Sequence, residues 1–331
     1  MPPLADESTL LRELQGLARQ GRYREVVDRI TALPSGVAEA RSPLALLAAE
    51  AFGRLGEQDG AARWAARALE LALNKLDTPT ELRSVHLQGA IAWQRGALDE
   101  AERHFQRVLE LARTLRDVAA EARAFNNLGI LQNLRGDPED ALATYQLALA
   151  AYQQAGNLRG IAETHTNLEI SWLALGNARR ARDAADEAVR LAREVGDATL
   201  IAVALVARAE TNLALGDPDL AGAELLLAEE MYVGVRFTAG LAEVRRLQAA
   251  VARARQDLPE ARRLLDAAGT LSSQGASLDT QGEIERDLGD VLAALGDRAG
   301  ARAARERALE LFRRLGARRA EQALAALLAA P

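Results

Sequence analysis

Asn126, Asn127 and Asn167 are the side chains whose type and spacing most directly suggest binding chemistry. A carboxamide has both a donor and an acceptor, so it can pair with the N–H and C=O of an extended peptide. Asn127 and Asn167 stand 40 residues apart, within the matching phrases NNLG and TNLE. The same predicted helix faces carry Arg83, His86, Trp93, Arg123, Asn133, Glu163, Glu210, Glu243, Arg246, Asp287 and Asp290. The earlier of these are basic and amide-rich and the later ones acidic, a gradient that would orient a dipolar peptide or helix. Arg83 and Arg123, again 40 residues apart, offer guanidinium groups to a carboxylate. The plainer alternatives are asparagines that satisfy helix ends or water, and a solvated face of mixed charge. The candidate groove is therefore Arg83, His86, Arg123, Asn126, Asn127, Asn133, Glu163, Asn167, Glu210 and Arg246.

Catalytic chemistry finds little support. The three histidines, His86, His104 and His165, fall in different predicted helices without an HExxH or similar metal spacing. The glycines are accounted for by helix turns, which leaves no phosphate-cradling loop. Carboxylates are plentiful but lie on charged helix faces, where solvation is the ordinary reading. With no cysteine there is no disulfide, thiolate metal site or thiol nucleophile. Trp64, Trp93, Trp172, Tyr145, Tyr152 and Tyr232 read as packing residues. No enzyme activity, cofactor or metal is expected.

The elements that must position the asparagines are clearest around Phe125–Ala148. Phe125, Leu128, Leu131 and Leu134 give one helix an apolar face. Arg135 and Gly136 end it, glycine taking the left-handed C-cap. Asp137 reads as the N-cap of the next helix and Pro138 as its first residue. Ala141, Tyr145 and Ala148 follow at i, i+4, i+7. A pair this short cannot bury its own apolar face and needs copies on either side. Those copies recur every 40 residues. The turn glycine returns as Gly56, Gly96, Gly136, Gly176, Gly216 and Gly296, with Gln256 in the one gap. Alanine stands five residues later each time, at 61, 101, 141, 181, 221, 261 and 301. A third column reads Ala68, Val108, Ala148, Ala188, Ala228, Ala268 and Ala308. Columns of small residues mark close helix–helix approach.

One residue breaks the pattern. The close-packing column of the first helices reads Ala49, Gly89, Gly129, Glu169, Ala209, Ala249 and Gly289. His165 lies one turn before Glu169, so a His165–Glu169 pair that titrates near neutral pH is one expectation. The alternative is a carboxylate that reaches solvent beside an ordinarily packed histidine.

Gly129, Gly136, Ala141, Tyr145 and Ala148 match the small and aromatic signature of the tetratricopeptide repeat (TPR) family, which the chain resembles over nearly its whole length. Long-unit members near 40 residues, against the usual 34, include kinesin light chain and bacterial peptide-sensing regulators. The resemblance implies an all-α, right-handed α-solenoid of about eight antiparallel helix pairs plus a C-terminal capping helix. It also implies that first helices line the concave surface, where family members use an asparagine ladder to hold peptide backbones. The lysine positions of the carboxylate clamp in chaperone-binding members are missing, so a chaperone-tail receptor is not expected.

The organisation follows. Residues 1–36 read as a loose leader (1–8) and a divergent capping pair around Gly21, 37–316 as seven 40-residue units, and 317–331 as a capping helix. LSSQGASL at 271–278 is expected to be the most mobile loop. Aromatics are only 4% against 49% apolar residues, which suits alanine and leucine packing. A net charge of −6 without a concentrated basic face disfavours nucleic acid. The start lacks a basic, apolar signal peptide, and no apolar run is long enough to span a membrane. A cytoplasmic, bacterial protein is expected, with a protein or peptide partner in the groove and possible homo-oligomerisation. The expected function is a non-catalytic scaffold holding an extended peptide or helix. The alternatives are a peptide-responsive regulatory sensor, disfavoured by only about 35 residues ahead of the array, and an oligomeric assembly scaffold.

Overall fold

The computed structural model describes residues 7–34, 38, 40–273 and 276–329. The leader up to Asp6, Ser35 and Gly36 of the expected linker, and Gln274 and Gly275 of the loop expected to be mobile lie outside them. Among the described residues there are 17 helices and no strand. They form two compact units. The first runs to Arg95 and includes Asp99–Ala120, and the second takes in Gly96–Leu98 and the residues from Glu121 onward. The first carries α1 (Glu7–Arg19), α2 (Tyr23–Thr31), α3 (Ser42–Arg54), α4 (Gln58–Lys75), α5 (Thr78–Gln94) and most of α6 (Leu98–Leu115). The second carries most of α7 (Val118–Arg135), then α8 (Pro138–Gln154), α9 (Leu158–Ala174), α10 (Ala178–Val195), α11 (Ala198–Ala214) and α12 (Pro218–Val235). It continues through α13 (Thr238–Ala254), α14 (Leu258–Ser272), α15 (Leu278–Ala294), α16 (Arg298–Leu315) and α17 (Arg318–Ala329). Odd and even helices pair in sequence, so the described residues make eight pairs and a final single helix, an all-α solenoid as expected.

The tight turn within each pair is built the same way. At Gly136, φ is +95°, its N–H donates to Asn133 O at 3.0 Å, and the Asp137 N–H donates to Gln132 O at 3.0 Å. These bonds satisfy the last carbonyls of α7. Gln256 keeps the left-handed geometry at φ +65°, and Asp257 N–H still reaches Ala252 O at 2.9 Å. The gap in the glycine column is thus a gap in residue type and not in backbone; the Cβ there costs on the order of 1 kcal/mol. A second left-handed column closes the even helices at Leu76, Arg116, Gly156, Gly196, Arg236 and Gly316. Asp137 occupies the expected N-cap position of α8 but makes no side-chain cap bond. Asp217, Asp257 and Asp297, at the same place in later pairs, do cap, accepting from Leu220, Glu260 and Gly300.

The alanine columns are the buried spine, since every residue from Ala61 to Ala301 and from Ala68 to Ala308 in them is buried. Small residues on the odd helices let rings of the even helices lie against backbone. A Cβ at Gly89 would stand 2.7 Å from Phe105 Cε1, and one at Gly129 would stand 2.5 Å from Tyr145 Cε1. Tyr145, Tyr152 and Tyr232 are core, as read from the sequence. In the second unit, α17 also packs back on the first of its helix pairs. Leu134 joins the cluster of Phe312, Leu315, Ala317 and Leu324, and a Cβ at Gly136 would meet the Arg319 side chain at 2.6 Å.

These contacts set the sign of two alanine substitutions. Gly129→Ala drives a methyl into Tyr145 and is expected to destabilise by about 1–3 kcal/mol. Gly269→Ala, inside α14 with nothing within 4 Å of a new Cβ, is expected to stabilise by about 0.5–1 kcal/mol. Denaturant midpoints followed by circular dichroism check both, and the same direction for the two would contradict the packing scheme.

Candidate functional site

The odd helices of the second unit present two polar constellations. The first links α7 to α9. Asn126 is buried, and its Oδ1 accepts from the Asn167 amide at 3.0 Å, with the Thr164 hydroxyl 3.1 Å from the same oxygen. One helical turn and more along, Asn133 Oδ1 accepts from Ser171 Oγ at 2.9 Å, and Asn133 Nδ2 donates to the Tyr145 hydroxyl at 3.3 Å. Asn126 and Asn133, expected as ligand contacts, are thereby bonds between neighbouring repeats. Asn127 and Asn167 are half-buried and keep part of their surface open. Glu163 is also half-buried, 3.9 Å from Arg159, and Arg123 is exposed.

The second constellation spans α11, α13 and α15 around Arg246, whose side chain is only 7% exposed. Its guanidinium reaches Glu243 at 2.5 Å, Asp287 at 3.1 Å, Glu210 at 3.3 Å and Glu283 at 3.8 Å. Burial alone would pull its pKa down, but Glu243, Glu210 and Asp287 together hold it well above the ordinary arginine value. Arg286 adds a second cation, 2.7 Å from Glu283 and 2.9 Å from Asp287. The carboxylates then part according to their neighbours. Burial favours the neutral form of Asp287, but Arg246 and Arg286 outweigh it and hold the group below its usual range. Burial wins at Glu283, against the same two arginines, and pushes it up to about 7. Burial and then the Glu243 charge push Asp279 up to about 6. Glu210 is raised by burial, with Arg246 opposing.

Glu169 neither reaches solvent nor pairs with His165. It is 0% exposed, and its Oε1 accepts from the Thr211 hydroxyl of α11 at 2.6 Å. Burial, then the like charge of Glu210, holds its carboxyl well above the ordinary range. His165 is lowered by burial first, and the charges acting on it are Glu187 and Arg190 of α10. Both sequence readings of Glu169 are therefore corrected. Sixteen residues on, at the register where the two preceding pairs place Phe105 and Tyr145, this pair has the small Ala185.

In the first unit, Arg83 is already held by both oxygens of Glu50, at 2.7 and 3.0 Å, so it is not a free carboxylate receptor. His86 lies against Phe105, ring centroids 5.9 Å apart. Trp93 is half-buried. Residues missed in the sequence are Thr164, Ser171, Thr211, Asp279, Glu283 and Arg286. Glu283 had a signal, because the 40-residue column runs Arg83, Arg123, Glu163, Val203, Glu243, Glu283. Among the described residues no group of three or more histidine or acidic side chains is placed to hold a metal ion, and no helix is long and apolar enough to cross a membrane.

Paired helices repeating every 40 residues, with polar side chains collected on one helix of each pair, define a helical-repeat solenoid. A tetratricopeptide repeat family model matches residues 81–154. The match spans the stretch from α5 through α8, and the helix pairs outside it share the same build. Among curated proteins none matches in sequence. Solved structures similar in fold include a Rap protein complexed with Competence and Sporulation Factor, at 14% identity and TM-score 0.65 over 97% of this chain and 96% of that one. NprR in complex with its cognate peptide NprX is similar at 14% identity and TM-score 0.64, over 98% and 99%. The apo form of RapI matches at 11% identity and TM-score 0.66, over 83% and 98%.

The raised Glu283 has a consequence for stability. Between the ordinary glutamate value of 4.5 and about 7, the folded state keeps a proton that the unfolded chain has released. Raising pH through that window therefore disfavours folding. Glu283→Gln lacks this loss, so the stability difference between variant and parent is expected to move in favour of the variant by on the order of 1–2 kcal/mol from pH 5 to 8. Thermal melts at several pH values test it, and a difference that does not change with pH would return Glu283 to an ordinary carboxylate.

Proposed function

We propose that this chain is a non-catalytic scaffold, a repeat array over 37–316 between terminal caps, that holds an extended peptide or helix along its odd helices. The observation that carries the reading is the segregation on those helices in the second unit. Amides stand on α7 and α9, and a carboxylate-rich cluster stands on α11 to α15. Alanine and leucine packing builds the repeats without these groups, and a buried Arg246 with its carboxylates is an expensive way to fill space. Asn127 and Asn167 supply amide edges for a peptide backbone and the acidic end supplies direction. NprR, similar in fold, was solved in complex with its cognate peptide, and the Rap protein with Competence and Sporulation Factor. The peptide-responsive regulatory reading also gains support from these matches, which run over 96% and 99% of the chains compared.

The test is a pull-down from a source lysate with the parent chain and an Asn127→Ala/Asn167→Ala double variant. Two lost amide contacts are expected to weaken the captured partner about tenfold. Melting curves keep the comparison fair, because Asn167 also bonds Asn126. Retention of every partner at unchanged affinity would remove the amides from the site.

A second reading, an assembly scaffold, draws on α12. Leu226, Leu227 and Val233 are 64%, 47% and 58% exposed there, the first and last at i, i+7 on one face. If that face joins copies, light scattering is expected to show a mass above 35.5 kDa that rises with concentration and falls back with Leu226→Arg. A single-chain mass at all concentrations would end this reading.

A further inference from the structure

The acidic end of the second unit is short of positive charge at one place. Of the carboxylates around Arg246, Asp287 and Glu243 are its near partners, and Glu283 lies 2.7 Å from Arg286. Glu210 is reached by Arg246 at 3.3 Å, the longest of the five hydrogen bonds that the guanidinium makes, and its side chain is 38% exposed. Behind Glu210 lies Glu169, 0% exposed, one oxygen bonded to Thr211 and the other, Oε2, without any hydrogen-bond partner. The charge acting on Glu169 is that of Glu210 itself, of the same sign. An enclosed carboxyl oxygen with no hydrogen-bond partner is rare in folded proteins, because each such group forgoes the hydrogen bonds it had in water. Two acidic side chains next to one another, one open to the groove and one sealed behind it, form a site that a cation would complete.

We propose that this end of the groove takes a cationic side chain, lysine or arginine, of the bound peptide, with Glu210 as the direct contact and Glu169 as a positioning carboxyl next to it. The proposal rests on the peptide-binding reading above and adds the class of residue recognised. It also accounts for the direction of the groove. The amides on α7 and α9 are neutral and pair with backbone, whereas Glu210 selects a side chain and so fixes the register of the peptide. Arg246 serves as the internal counter-ion that keeps Glu210 aimed at the groove.

The experiment is selection from a random heptapeptide library on the full chain, followed by calorimetric titration of a selected, N-acetylated peptide and of its copy with the lysine or arginine changed to Gln. Acetylation separates a side-chain cation from a terminal amine. Selected peptides are expected to concentrate lysine or arginine at one position. Changing that residue to Gln is expected to weaken binding tenfold or more in the parent and under threefold in Glu210→Gln. Glu169→Gln retains an acceptor for Thr211, is expected to fold as the parent does by circular dichroism, and is expected to reduce the cation preference by at least threefold. A preference unchanged in both variants would overturn the site. Peptides selected without any cationic preference would overturn the proposal and leave peptide binding standing, while no selection above background would overturn both.

Discussion

Everything in this chain depends on how closely two helices of a pair can approach. Alanine and glycine at fixed intervals let backbone meet backbone or ring, and Phe105, Tyr145, Tyr152, Tyr232 and Phe312 of even helices each lie against a glycine of an odd helix. Dispersion and apolar burial then come from many small contacts, which suits a chain with few aromatics. The same constraint fixes the length of the repeat, because an added or lost residue would shift an entire column out of its partner. It also decides what the remaining positions are free to do. With the spine given to small residues, some positions between successive odd helices can take polar side chains such as Asn126 and Arg246.

Those positions are where the second unit departs from apolar packing. The Asn126–Asn167 and Asn133–Ser171 bonds join neighbouring repeats by polar contacts of directional geometry. The Arg246 cluster joins three more through charge. Removing a guanidinium from water costs several kcal/mol, which nearby carboxylates recover only with good geometry. The divergent pKa directions of Asp287 and Glu283, side by side on α15, show how finely that balance is set.

The repeat was legible because it is periodic: turn glycines, alanine columns and tyrosine rings each stand in register and each mean one thing physically. Gln256 and the left-handed Leu76, Arg116 and Arg236 were harder, since backbone conformation there is imposed by neighbours and not announced by residue type. The inner face was half legible. Its charge gradient appears in the column from Arg83 to Glu283, yet no spacing says that Asn126 turns inward to Thr164 while Asn127 stays half-open. Glu169 misled for a related reason. Its partner Thr211 is 42 residues away, off the 40-residue register, and Ala185, which replaces the ring of the two preceding pairs, reads as routine in an alanine-rich helix.

Helical repeats are usually described by nearest-neighbour energetics, each unit answering only to the next, so that stability adds along the array and either end can fray alone. The seating of α17 on Leu134 and Gly136 ties residues nearly two hundred positions apart. The last helix of the second unit thus shares the fate of its first pair. Fraying at that terminus exposes apolar surface at both ends of the second unit, and any change of pitch within that unit must either carry this seam along or break it. In the second unit the array behaves as a clasped bracelet instead of a spring, with cooperativity that no sum over adjacent repeats contains.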